Sequence, residues 1–213
     1  MNYWNEIYRE NPRIWGSKSN ALVEFLGNHL EPGQSVLDLG CGTGRDCLSL
    51  SQKGILTIGV DISEEAINCS NDLIRENAIS SAYFIRADFS EFINQYRGRC
   101  FDGILSINSL NHAYDSLEIV IQKLYEILSP NGYLCLSVFS IDDEEWIHYK
   151  QMDQRNYFGP FGIIRLYSEE EIRYCLKKFR ILKLSQTTYL DNPHFGSPEP
   201  HKNSFLKVIA EKN

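Results

Sequence analysis

The residues with the most chemistry in them recur at intervals down the first half of the chain. In Val36-Leu37-Asp38-Leu39-Gly40-Cys41-Gly42-Thr43-Gly44-Arg45-Asp46 an acid precedes a turn in which three glycines alternate within five positions. Glycine at that density serves where backbone takes a positive φ or touches a ligand closely. A second acid stands in Gly59-Val60-Asp61-Ile62-Ser63, and a third, beside an aromatic, in Ala87-Asp88-Phe89. A polar run with one histidine follows at Asn108-Ser109-Leu110-Asn111-His112. The turn is not the dinucleotide pattern G-x-G-x-x-G, because its third glycine, Gly44, arrives one residue early and bulky Arg45 follows it. Asp38 would repel a pyrophosphate and suits a cation, such as an ammonium or a sulfonium. Asp61 is placed to accept from ribose hydroxyls. Asp88 and Phe89 offer an edge and a face to an adenine. A plainer reading stands beside each: Asp38 and Asp88 as turn or capping residues, and Ser63 capping the helix after Asp61.

These residues need strands to carry them and helices to back the strands. Short apolar runs predict strands over 35–39, 55–61, 82–86, 101–107 and 133–139. Between them, helical spacing predicts helices over 19–29, 45–52, 63–77 and 115–128. The stops are chemical: Glu31-Pro32-Gly33, Lys53-Gly54 and Ser129-Pro130-Asn131-Gly132. After 139 the rhythm changes. Residues 140–166 are aromatic-rich and irregular, and Asp142-Asp143-Glu144-Glu145 reads as a solvated helix start rather than a metal site. Ser168 caps a helix that ends near 179, and strands follow over 180–190 and 204–211 with a proline-rich loop between them. The chain is thus a doubly wound α/β protein of one domain, 1–213, closed by a hairpin. In such sheets ligands bind beyond the carboxyl ends of the strands.

Composition narrows the partners. The net charge is −7 and the basic residues are scattered, which excludes a phosphate-backbone footprint and so nucleic acid. No apolar run approaches the roughly 20 residues of a membrane span, and the start of the chain lacks a basic-then-apolar signal. The six cysteines form no CxxC pair and no metal spacing, which points to buried thiols in a reducing cytoplasm. Monomer and homodimer both stay open.

Taken together, the motifs over roughly 35–139 resemble those of the class I S-adenosylmethionine-dependent methyltransferases. Trp4-Asn5-x-x-Tyr8, Ile14-Trp15-Gly16-Ser17 and Gly44-Arg45-Asp46 are most similar to the small-molecule branch that includes tellurite-resistance and thiopurine-type enzymes. The resemblance implies a Rossmann-like seven-stranded sheet with a C-terminal antiparallel hairpin, S-adenosylmethionine as cofactor and S-adenosylhomocysteine as product. It implies cofactor contacts from Trp15, Asp38, Gly40, Cys41, Gly42, Arg45, Asp46, Asp61, Ile62, Ala87, Asp88, Phe89, Ser106 and Ile107. It makes 1–30 a helical cap over the cofactor and 140–166 a substrate lid. His112 is the candidate base, with a backbone-bonded histidine as the plainer reading. Tyr8, Asn111, Phe139, Tyr149, His194 and His201 are the candidate acceptor contacts, and no metal is expected. The implied reaction is in-line methyl transfer to O, N, S or a chalcogen of a small molecule. A peptide or protein acceptor, a non-catalytic cofactor-binding protein and, more distantly, a nicotinamide-dependent dehydrogenase are the alternatives.

Overall fold

A computed structural model describes residues 3–12, 14, 16, 20–98, 100–113, 115–146, 149–159, 162–191 and 200–213. Two helices open the chain, α1 (Tyr3–Glu10) and α2 (Ala21–His29). The alternating body follows: β1 (Ser35–Leu39), α3 (Arg45–Ser51), β2 (Leu56–Asp61), α4 (Glu64–Glu76), β3 (Ala82–Arg86), α5 (Phe89–Gln95), β4 (Phe101–Ile107), α6 (Leu117–Ile127) and β5 (Leu128–Phe139). Three short strands come next, β6 (Lys150–Gln151), β7 (Asn156–Gly159) and β8 (Gly162–Arg165), then α7 (Glu169–Cys175) and the long strands β9 (Phe179–Asp191) and β10 (His201–Lys212).

Seven strands form one sheet in the order β3-β2-β1-β4-β5-β10-β9. The first five are parallel, and β10 runs antiparallel to both β5 and β9. β1 sits between β2 and β4, with Leu37 level with Ile58 on one side and Ile104 on the other. The chain therefore reverses its direction of travel across the sheet beside β1, and a crevice opens past the carboxyl ends of β1 and β4.

Alternation along β1 explains the layers. Leu37 and Leu39 face a core with Val120, Ile121 and Leu124 of α6 and Ile172 of α7, whereas Val36 faces Leu22, Val23 and Leu26 of α2. Leu26 is wholly inaccessible to solvent, and burying such a side chain contributes roughly 1.5–3 kcal/mol. Caps set the helix starts: Ser63 accepts from Ala66 N–H at 3.2 Å, and Ser168 and Glu171 form a reciprocal capping box.

The seven-stranded sheet and its antiparallel hairpin agree with the expected fold. Several details differ. Strand β5 begins at Leu128, not 133, and α7 stops at Cys175. Helix α5 was not foreseen; Asp88 starts it, accepting from Ser90 and Glu91 N–H at 2.8 and 3.1 Å. Residues 140–166 are not irregular throughout, because β6, β7 and β8 pair into a separate antiparallel sheet. Nor is 142–145 a solvated helix start: Asp143 and Glu145 are buried. Of the two N-terminal helices, α2 packs on the main sheet, and α1 lies across α4. Asn5 Oδ1 accepts from Ser63 Oγ at 2.8 Å, and Arg9 pairs with Glu65 at 2.8 Å. That ion pair is exposed and worth little. The firmer anchor is Ile7, which shares a small core with Trp146, Ile164 and Leu166.

Candidate functional site

A cavity of about 1340 Å³ opens past the carboxyl ends of β1, β2 and β4. Ligand pockets commonly measure roughly 300–1,000 Å³, so this one has room for two molecules side by side. Its two ends differ in chemistry.

The first end is built by the glycine turn and the acids. Gly40 and Gly42 hold φ of +73° and +54°. A Cβ on Gly40 would collide with Ser109, and one on Gly42 would come within 2.7 Å of Tyr8 Oη. Glycine is needed here because the turn is pressed between the β4 exit and α1. Asp61, at the end of β2, accepts from Gly42 N–H at 2.9 Å and Ser63 N–H at 2.8 Å. It thus ties the turn to the start of α4 while still facing the cavity. Burial raises its carboxyl above the usual range, and the N–H groups of Ser63, Gly42 and Ile62 pull it back. Asp38 is buried with Cys47 Sγ donating to it at 3.5 Å. Burial first, then the charges of Asp46 and Asp61, push its pKa up to about 8 against the pull of Cys47 and Arg45. Arg45 is held by Asp46 through two bonds of 2.9 Å. A carboxyl so buried, among other acids, is a site that a cation would complete.

The second end is aromatic. Phe139 lies edge-on to Trp146 at 5.3 Å and tilted against Phe205 at 4.9 Å, and Tyr189 stacks on Phe205 at 5.6 Å. All four rings line the cavity, with Glu145 and Asn203 among them. His112 stands in the cavity wall, edge-on to Trp4 of α1 at 5.1 Å. Burial pushes its pKa down to about 4 against a hydrogen bond with the Ile163 backbone. At neutral pH it is an uncharged imidazole able to accept a proton.

Of the residues expected from sequence, Tyr8, Asp38, Gly40, Cys41, Gly42, Arg45, Asp46, Asp61, Ile62, Asp88, Phe89, Ile107, His112 and Phe139 line this cavity. Others do not. Ala87 packs against the core beneath it. Ser106 is buried and bonds to Ser109 Oγ at 2.7 Å. Asn111, expected at the acceptor, is a buried strut: it donates to Arg165 C=O at 2.6 Å and accepts from Phe139 N–H at 3.2 Å. Tyr149 packs on Trp146 behind the cavity wall. His201 is no loop residue but the first residue of β10, buried 4.0 Å from Glu145. Trp15 and His194 lie outside the described residues. Glu145, Asn203, Tyr189 and Phe205 were missed. Asn203 lies in the polar stretch His201-Lys202-Asn203-Ser204, so no local signal marked it. Among the described residues no cluster of His, Cys, Asp and Glu could hold a metal, and no helix is long and apolar enough to cross a membrane.

Residues 30–184 match the family described as the methyltransferase domain. The chain is 26% identical over 191 residues to the sterol 24-C-methyltransferase erg6 of Schizosaccharomyces pombe, covering 83% of this chain and 50% of that protein. It is 29% identical over 150 residues to the human EEF1A lysine methyltransferase 2, covering 66% of this chain and 64% of the other. The chain spans about half the length of the curated relatives it matches. Among solved structures, TehB from Haemophilus influenzae superposes with a TM-score of 0.74 at 18% identity, over 99% of this chain and 67% of that one. At that identity the likeness is one of fold.

Proposed function

The chain belongs to the methyltransferase-domain family, and from that premise we propose that it uses S-adenosylmethionine to methylate a small-molecule acceptor. The observation that carries the reading is one continuous cavity with an acid-and-glycine end and an aromatic end. The first end fits the cofactor. Asp38 suits its ammonium, Asp61 its ribose hydroxyls, and Asp88 with Phe89 its adenine. Gly40 and Gly42 shape the turn that would carry backbone past the cofactor. When bound, S-adenosylmethionine supplies a methyl group already activated on a sulfonium for in-line displacement.

What remains for the protein is alignment and the exclusion of water. The aromatic end, with Trp4 from α1 and Ile163 and Ile164 from β8, supplies apolar walls for the acceptor. His112, uncharged at neutral pH, is placed to take a proton from an acceptor that must lose one. Aromatic walls of this kind favour an apolar or planar small acceptor.

Calorimetric titration with S-adenosylmethionine, S-adenosylhomocysteine and NAD tests the cofactor. Micromolar binding of the two adenosyl ligands, with none for NAD, is expected. Binding of NAD alone would overturn the reading.

A further inference from the structure

We propose that Asn108 holds the reacting atom of the acceptor, and that this atom is a hydroxyl oxygen. The inference rests on the methyltransferase reading given above and names the acceptor class for that same cavity.

Asn108 stands one residue past β4, at the seam between the two ends of the cavity. The residue after it, Ser109, is the one that a Cβ on Gly40 would strike. On the other side, Asn108 N–H donates to Ser137 C=O at 2.8 Å, two residues before Phe139. Gly40, Asn108 and Phe139 all line the cavity. A methyl group that passes from the acid-and-glycine end to the aromatic end crosses here. Asn108 also has a φ of +56°, a left-handed conformation that asparagine tolerates better than most side chains. Ala78 and Asn131 are the other non-glycine residues so held among the described residues, and neither lines the cavity.

The side-chain amide has one defined orientation. Ser137 is buried, and its hydroxyl lies 2.6 Å from Asn108 Oδ1. That hydroxyl meets no other acceptor among the described residues, so its proton goes to Oδ1. The group left over is Nδ2, a donor, which has no protein partner among the described residues. What Nδ2 can receive from a ligand is a lone pair.

That requirement separates the possible reacting atoms. A hydroxyl oxygen has two lone pairs, so one accepts from Nδ2 while another attacks. An amine has one, and spending it on Nδ2 removes the nucleophile. A thiol sulfur is a weak acceptor. His112 supplies the other half of the chemistry. Its hydrogen bond with the Ile163 backbone favours the charged ring, so the ring donates there and its second nitrogen carries the free lone pair. The hydroxyl gives its proton to that nitrogen. An oxygen lone pair forms the new carbon–oxygen bond while the carbon–sulfur bond breaks with its pair left on sulfur. The sulfonium charge is thereby replaced by an imidazolium, which releases the proton to solvent as product leaves.

The test is calorimetry on protein saturated with S-adenosylhomocysteine. The probes are methylated products of the three kinds: 2-methoxynaphthalene, N-methyl-2-naphthylamine and 2-(methylthio)naphthalene. They share one ring system and differ in the atom that meets Nδ2. The ether is expected to bind about three- to tenfold more tightly than the other two, the worth of one neutral hydrogen bond. Asn108→Asp keeps an oxygen for Ser137 and exchanges only the donor for an acceptor, so the advantage of the ether should vanish. Thermal melting reports folding. Should that variant not fold, Asn108→Gly, which suits the positive φ and carries no donor, gives the same readout. An ether bound no more tightly than the amine and the thioether, binding of none of the three, or an advantage that survives in a folded variant without the donor would overturn the proposal. If S-adenosylhomocysteine itself gives no heat, it is the methyltransferase reading that fails, and this inference falls with it.

Discussion

Asp61→Ala should damage the fold and the cofactor site by separable amounts. The carboxylate is 8% exposed and accepts two backbone N–H groups, from Gly42 and Ser63. Truncation leaves both donors without their acceptor in a space too confined for free hydration. Each such group costs about 1–3 kcal/mol. Relief of the buried charge offsets part of this, since burial alone already raises the Asp61 pKa. The expected loss is about 2–4 kcal/mol, read from urea unfolding with an unchanged m-value. Asp61→Asn keeps one oxygen acceptor and should lose about half as much. Affinity is the second readout. If the same carboxylate receives ribose hydroxyls, S-adenosylhomocysteine should bind about 10- to 150-fold more weakly to folded Asp61→Asn, the worth of a charged hydrogen bond. Stability within about 0.5 kcal/mol of the parent for Asp61→Ala would refute the claim that this side chain ties the glycine turn to α4. Intact affinity in both variants would refute the ribose contact.

Further outcomes follow from the buried titrating groups. Asp38 has a pKa raised to about 8 and Asp143 to about 7. A carboxyl raised on folding stabilises the protein while protonated, so this contribution is full below about pH 4 and is lost as pH rises to about 8. Ligand-free stability should fall over that window. Affinity for S-adenosylhomocysteine should instead rise with pH, by up to about tenfold per unit, because its ammonium favours ionised Asp38; a flat profile in the parent, or a slope surviving in Asp38→Asn, would contradict the assignment. His112→Ala should slow turnover at least tenfold while S-adenosylhomocysteine affinity stays within about threefold. With a pKa near 4 the histidine should contribute no inflection near pH 6.5 to the rate profile, so an inflection there that disappears in His112→Ala would contradict its burial.

The sheet was legible because its signals are local. Strands β1, β3 and β4 read directly from short apolar runs, and their ends match residue for residue. The acid-and-glycine end was legible for the same reason: Asp38 and Asp61 stand at the ends of β1 and β2 and Asp88 just past β3, each within a few residues of a cap or a turn. The aromatic end was not. Glu145 lies in a run of four acids that resembles solvated surface, and bonds to distant β10, from Ser204 N–H to Asp143 and from Glu144 N–H to Lys202 C=O, hold the run inward. Asn111 misled in the opposite direction. A polar residue after a strand suggests a site, but its amide is spent on Arg165 and Phe139 backbone, 54 and 28 residues distant. Pairings of that range carry no signature in either segment alone.

The place of β10 in the sheet has a bearing on how the protein is made. β9 has β10 as its strand partner, and β10 follows it in the chain yet inserts between β9 and β5. On the ribosome, β1 to β5 can assemble with their helices while β9 waits unpaired. Its backbone must stay hydrated over that interval, and Arg180 and Lys183 along it discourage pairing with a second nascent chain. The acid-and-glycine end of the cavity is complete before this happens. Phe205, Asn203 and Tyr189 arrive only with the β9–β10 hairpin, so the aromatic half of the cavity forms after the acid-and-glycine half.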